Sequence, residues 1–340
     1  MRRRRPSRRG VPRLAIARRV RALLVAAALA ASGWAFGGSW ERLPALQVPR
    51  QEIAAVWLDG ALYAIGGFDA RGAPLARVER WRPEDGSWEL IAPLPVAVNH
   101  PAAAVVAGRL VVVGGYRGPF LANATDAVQV YDPAADAWTL AAPMPSARGG
   151  LAAAPLGGRL VAVGGARDGV SVAEVAAYEP EADAWTLLAS MPTPRDHLGV
   201  AVLDGRLHAI GGRAGGHDHG VAGDPFTLTT HEVYDPATDA WTAAAPLPTG
   251  RSGHAVAVLD GCLYALGGEG NRAVADGMFA EVERFVAVSG AWQALSAMPV
   301  PRHGMGAVGV AGRLLVPGGG VVAGFGASAH VDAFTPPACR

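Results

Sequence analysis

The sequence predicts an all-β protein: six small four-stranded sheets set radially as a β-propeller, closed by an N-terminal strand that completes the last blade. Three observations carry this. Trp recurs at 40, 88, 138, 185, 241 and 292. A Gly-Gly pair begins at 66, 114, 164, 211, 267 and 318. The 340 residues include 45 Gly and 26 Pro, which punctuate short apolar runs as in proteins built of many strands and tight turns. Repeats about 50 residues long mark an array, in which length is a poor guide to domain count.

The spacing inside the repeat is fixed. The tenth residue after each Trp is Arg50, Val98, Arg148, Arg195, Arg251 or Arg302. The first Gly of the pair always follows 16 residues later. Trp81, Tyr131, Tyr178, Tyr234 and Phe285 stand seven residues before the later Trp residues. Only the stretch between Gly-Gly and that aromatic changes length, so insertions are confined to one kind of loop.

Each element of a repeat follows from local chemistry. After the Arg comes an apolar run such as Leu198-Gly199-Val200-Ala201-Val202-Leu203, read as strand a. Asp204-Gly205 is a two-residue hairpin signal, and Arg206-Leu207-His208-Ala209-Ile210 is strand b. Both runs are nearly continuous in apolar and small residues, which predicts burial on both faces. Gly-Gly is expected where neighbouring backbones come close. After the variable loop, strand c ends in the aromatic, Asp235-Pro236-Ala237-Thr238-Asp239 turns, and Trp241 opens a shorter strand d. The aromatic and the Trp are expected to fill the space between blades, each burying ~150–250 Å².

Gly-Gly, Tyr-Asp-Pro-x-x-Asp-x-Trp and the Pro-x-x-Arg spacing resemble kelch repeats over roughly residues 40–335. Closure follows from the ends. Trp40 has no aromatic seven residues before it, and Phe334 has no Trp after it because the chain ends. Residues 39–43 are therefore expected to form the outer strand of the blade supplied by about 303–335. The resemblance implies the same device.

The first 21 residues hold ten Arg, and no acid precedes Glu41. An uncharged stretch, Ala22 to Gly38, follows. Residues 1–37 read as a signal peptide, with export to the periplasm or outside, or as an N-terminal membrane anchor or a transit peptide. Residues 38–340 read as the propeller. Without that leader, twenty Arg face twenty-nine Asp and Glu, about −9, which argues against nucleic acid. Membrane contact is expected only through an uncleaved leader. Cys262 and Cys339 are the only cysteines. In an exported chain they could pair, and two unpaired thiols are the plainer reading.

Strand order puts the b–c loops and d–a connections on one face, the expected binding face of a repeat protein. Arg50, Arg148, Arg195, Arg251 and Arg302 there could hold an anion, or could serve the repeat by linking blades. The positions after them vary and suit recognition: Gln51, Glu52, Asn99, His100, Asp196, His197, His254 and His303. The b–c loops add Arg117, Arg167, Glu269 and Arg272. His217, Asp218 and His219, in the longest loop, are a candidate divalent-metal site, or incidental histidines of a Gly-rich loop. No other cofactor is expected.

Two functions remain open. One is a binding module taking a protein or carbohydrate ligand on the loop face. The other, implied by the likeness to exported kelch mutarotases acting on sialic acid, is sugar anomerisation. His197, Asp196 and Glu269 would then supply acid–base groups and the Arg set an anion holder. A copper–radical enzyme of the galactose-oxidase type is disfavoured, because both cysteines map to the opposite end. The two readings differ in shape: an enzyme needs a polar pocket with convergent His and carboxylate, a binding module a shallow face.

Overall fold

The computed structural model describes residues 37–119, 121–214 and 227–339. Residues 1–36 of the expected leader (1–37) and the candidate ligands His217, Asp218 and His219 lie outside them. Each repeat folds as a four-stranded antiparallel sheet, and there are six. Blade 1 comprises Ala54–Leu58, Ala61–Ile65, Val78–Trp81 and Glu89–Leu90. Blade 2 comprises Ala102–Val106, Arg109–Val113, Val128–Asp132 and Ala137–Ala141. Blade 3 comprises Ala152–Leu156, Arg159–Val163, Val175–Glu179 and Ala184–Leu188. Its b–c loop adds a small ribbon, Ala166–Arg167 with Val170–Ser171. Blade 4 comprises Gly199–Leu203, Arg206–Ile210, His231–Asp235 and Ala240–Ala243. Blade 5 comprises Ala255–Leu259, Cys262–Leu266, Val282–Val286 and Ala291–Ala294. Blade 6 is Val308–Val310, Arg313–Pro317 and Val331–Thr335, completed by Ser39–Arg42.

Closure is as the two ends imply. Trp40 stands opposite Phe334 in register, with ring centroids 4.7 Å apart. The a–b turns have positive φ at both central residues, for example Asp204 at 50° and Gly205 at 73°, the twist that suits tight hairpins.

The core is six apolar seams, one between each pair of adjacent blades. Each repeat Trp spans a seam and keeps its polar end satisfied. Trp40, Trp88, Trp138, Trp185, Trp241 and Trp292 donate Nε1–H to Ser296, Pro44, Ala92, Ala142, Ala189 and Ala245 carbonyls of the preceding blade, at 2.8–3.3 Å. Tyr131, Tyr178 and Tyr234 donate their hydroxyls to Asp136, Asp183 and Asp239. Those aspartates also accept a backbone N–H from the neighbouring blade. The Tyr-Asp-Pro-x-x-Asp-x-Trp run is thus a stapling device.

The Gly-Gly pair makes the inner joint. The second Gly donates to the carbonyl of the residue opening the next blade, as Gly165 does to Arg195 at 3.0 Å. The first Gly presses on the same carbonyl. A Cβ on Gly164 would lie 2.5 Å from the Arg195 oxygen, and φ there is +60°.

Strand a departs from the expectation of burial on both faces. In blades 1, 2, 4 and 5 its residues alternate between buried and half-buried. The half-buried positions, including Ala55, Trp57, Val105, Val200 and Val258, face an axial channel of about 360 Å³. A ring of six sheets leaves that space because the innermost strands cannot all meet.

Candidate active site at the channel mouth

Three six-fold rings build the loop-face end of the channel. The residue after each Arg position bridges to the residue after Gly-Gly: Gln51 with Phe68, Asn99 with Tyr116, Gly149 with Ala166, Asp196 with Arg213, Ser252 with Glu269, His303 with Gly320. The next residue along points its backbone round the axis. His100 N–H donates to Glu52 O, Gly150 to His100, His197 to Gly150, Gly253 to His197 and Gly304 to Gly253, and Ile53 N–H closes the belt by donating to Gly304 O. This belt of hydrogen bonds needs left-handed backbone, with φ of 51–62° at Glu52, His100, Gly150, His197, Gly253 and Gly304. Three of the six positions are glycine. The other three carry Glu52, His100 and His197, whose backbones are strained.

On this frame the side chains converge. His303 Nε2 lies 3.2 Å from Glu52 Oε1 and 3.7 Å from Glu269 Oε2. His100 Nε2 lies 3.3 Å from Glu52 Oε2, and its Nδ1 lies 2.6 Å from Asn99 Oδ1. His197 Nδ1 meets Asp196 Oδ1 at 2.5 Å. Arg213 ties the network together, donating to Asp196 at 3.0 Å and Glu269 at 3.1 Å and lying 3.2 Å from His197 Nε2. Ser171 donates to the other Asp196 oxygen. Glu52, His100, Asp196, His197, Arg213 and His303 are all buried. Glu52, His100 and His197 line the mouth together with the belt glycines, and it holds about 100 Å³.

The electrostatics divide the rings by role. Burial opposes charge on His303, but Glu269 and Glu52 outweigh it and raise the imidazole to about 9. Burial holds His100 down to about 3, in spite of Glu52. Of the two rings on Glu52, His303 therefore carries the proton at neutral pH, and Glu52 stays ionised below the usual carboxylate range against its own burial. Asp196 is likewise held low, by His197 and Arg213 against burial.

The expected residues fall into three groups. His100 and His197 line the mouth, and Asn99, Asp196, Glu269 and His303 join them in the cluster behind it. His254 lines the mouth but is held neutral, at about 3, by burial and Arg251. Arg117, Arg167 and Arg272 are exposed on the rim.

Arg50, Arg148, Arg195, Arg251 and Arg302 do not reach the mouth; each is fully buried inside its own blade. Arg195 donates to Glu232 at 2.5 Å and to Ala209 O, Arg251 to Glu283 and Ala265 O, Arg302 to Asp332 and Val316 O, Arg50 to Glu79 and Ala64 O. Arg148 uses Glu174. In four of the five an acid two residues before the strand-c aromatic, and for Arg148 one four residues before it, turns the guanidinium inward, away from any anion in the channel. Where Val98 replaces the Arg, the acid is also missing and Gln129 is bonded to Val96. The inter-blade link runs instead through the Arg backbone carbonyl and Gly-Gly. Arg213 was absent from the expected set. Its signal is its place directly after Gly211-Gly212, which only the bridge to Asp196 makes meaningful.

The kelch motif matches this chain five times in succession, at residues 49–95, 98–145, 147–192, 194–248 and 250–299. The chain belongs to the kelch-repeat family. The sixth blade of this kelch propeller, split between the two ends, is not among the matched segments. Among curated relatives, the Kelch-like protein terF of Aspergillus terreus is 36% identical over 96 residues, 28% of this chain and 21% of that protein. Kelch-like protein 15 of Danio rerio is 65% identical over 37 residues, 11% of this chain and 6% of that one. Beta-scruin of Limulus polyphemus is 33% identical over 87 residues, 26% and 9% respectively. The kelch propeller thus matches only a small part of each relative's length. A solved structure titled "Structure of YjhT" superposes with a TM-score of 0.69 at 16% identity, over 85% of this chain and 95% of that one. At that identity the likeness concerns the fold.

Cys262 and Cys339 form a disulfide in this kelch propeller, with Cα atoms 6.0 Å apart, where two unpaired thiols were the plainer expectation. Arg284 donates to the Pro337 and Ala338 carbonyls beside it, so the C-terminal tail is held to blade 5 twice.

Proposed function

We propose that this kelch propeller binds a carbohydrate on its loop face and seats one polar edge of a sugar in the channel mouth. The observation that carries this is a buried, convergent set of His, Arg and carboxylate groups beside an apolar ring. Phe325, 42% exposed, lies against Phe68 with centroids 5.4 Å apart. Its loop is clamped by Gln51, which donates to Gly324 O and accepts from Gly326 N–H. An aromatic face for the sugar's C–H side next to fixed donors and acceptors for its hydroxyls suits a carbohydrate. Size limits how much enters. Pockets that engulf a drug-sized ligand hold about 300–1,000 Å³, against about 100 Å³ here. A sugar edge fits and a whole nine-carbon sugar acid does not.

A second reading is anomerisation of the bound sugar. It is favoured by the protonated His303 standing 3.2 Å from Glu52 and 3.7 Å from Glu269, an acid beside two bases. Saturation-transfer NMR with aldoses, hexuronates and sialic acid tests the first reading. Binding weakened at least tenfold by Phe325→Ala and Glu269→Gln supports it; no binding to any of them, or binding only to a protein partner, contradicts it. Anomer exchange at the uncatalysed rate in the same samples removes the second.

We further propose that the protein is exported. The Arg-rich leader and a disulfide that persists best in an oxidising compartment support this. N-terminal sequencing of the mature chain is the check. A start near residues 33–38 is expected, and an intact Met1 in a soluble cytosolic fraction contradicts export.

A further inference from the structure

We propose that Glu52, His100 and His197 form a binding site for one divalent transition-metal ion of the zinc class on the propeller axis. One ligand atom from each lies within 4.8 Å of the others, and all three residues are buried.

The hydrogen-bond network assigns the free nitrogens. Asn99 donates its Nδ2 to Gly118 O at 3.1 Å, which turns Oδ1 toward His100 Nδ1 at 2.6 Å. His100 therefore carries its hydrogen on Nδ1, and the Nε2 lone pair faces Glu52 Oε2 at 3.3 Å. Two acceptors confront each other across that gap. His197 repeats the pattern, with Nδ1 on Asp196 and Asp196 held by Arg213 and Ser171. Both rings thus have the outer partner on Nδ1 that orients metal-binding histidines and leaves Nε2 to coordinate.

The distances fit a metal. Zinc bonds of about 2.0–2.1 Å in tetrahedral geometry put donor atoms about 3.3 Å apart. The Glu52–His100 pair already has that separation, and the third donor, within 4.8 Å of the others, needs a shift of up to about 1.5 Å. Arg213 Nη2, 3.2 Å from His197 Nε2, is the group a metal displaces, and it keeps Asp196 and Glu269 as partners. Two imidazoles and one carboxylate leave a coordination position open, toward a mouth whose other belt positions are bare glycine.

The backbone adds an independent argument. All three ligands hold positive φ, at 54°, 52° and 51°, where the other three blades use glycine. A non-glycine residue there costs about 1–3 kcal/mol, and such strain clusters at functional sites.

This site does not depend on the carbohydrate reading. The test uses untagged full-length chain stripped with chelator, then titrated with zinc by calorimetry and with cobalt(II) by visible absorption. One equivalent of zinc and the intense d–d bands of a low-coordinate N/O site are expected. His100→Gly and His197→Gly put at each position the residue other blades use. Each should weaken zinc binding at least 100-fold while leaving the melting temperature of the metal-free chain unchanged or higher. A His217→Ala/His219→Ala variant should bind as the parent does. Absence of stoichiometric zinc in the parent, retention of full affinity in both glycine variants, or loss in the His217→Ala/His219→Ala variant overturns the proposal. The cobalt spectrum of the parent decides the matter even if a variant misfolds, since octahedral aquo-like absorption alone contradicts it.

Discussion

Single residues in this propeller serve either the frame or the mouth, and since both sets are buried it is the partner each one meets that decides which. The repeated Arg is a frame residue. Removing one partner of a buried ion pair leaves the other charged and unpaired, which costs about 3–5 kcal/mol. Arg195→Ala, which strands Glu232, is expected to lose that much by urea denaturation. A loss under 1 kcal/mol contradicts the strut. At the mouth, pH is the probe. His303 is raised to about 9, above its unfolded value of about 6.5, so its contribution is complete below 6.5 and fades as pH rises through 9. His100 and His254 are held at about 3, so theirs is complete above 6.5 and fades as pH falls toward 3. The melting temperature of metal-free protein is expected to peak near pH 6–7, and His303→Gln should flatten only the alkaline limb. The direction of the Arg side chain was poorly legible in the sequence. Glu79, Glu232, Glu283 and Asp332 all stand two residues before the strand-c aromatic. The joint loss of Arg and acid at Val98 and Gln129 was the readable sign of their pairing.

At the level of strands and turns, the sequence was most informative where backbone geometry leaves few choices. Asp-Gly turns, the Trp that spans a seam and Gly-Gly all answer to local sterics, so their spacing could be read directly. Gly164→Ala puts a Cβ against the Arg195 carbonyl at φ +60°, which combines a backbone clash with a left-handed conformation. It should destabilise by about 2–3 kcal/mol, whereas Gly205→Ala, with open space around its Cβ, should cost less. Equal losses in thermal unfolding would contradict the joint. Strand a was misjudged because alternation between large and small apolar residues looks the same whether the second face meets protein or a channel. The mouth was only half legible for a related reason. Its residues are the ones the repeat does not dictate, and Arg213 joins Asp196 only after two loops are brought to one bridge.

The molecule as a whole is a ring, and a ring fails at its seam. Ser39–Arg42 is held by pairing with Val331–Thr335, by Trp40 on Phe334 and by the Trp40 bond to Ser296. Deleting residues 38–44 opens blade 6 to solvent on one edge and removes two seam contacts. A fall in melting temperature of more than about 10 °C is expected, since ~1 kcal/mol corresponds to about 2–4 °C in a domain of this size. An unchanged value contradicts closure. Ring closure also makes the mouth, because Glu52 comes from the first blade and His303 from the last. The central claim, that blades far apart in sequence assemble one buried charged cluster on the axis, is tested most directly by NMR titration of the histidine side-chain nitrogens in metal-free protein. His303 should remain an imidazolium until pH approaches 9 while His100 stays neutral down to about pH 3. Two rings titrating together near 6.5 would show them solvated and apart, and would contradict the account.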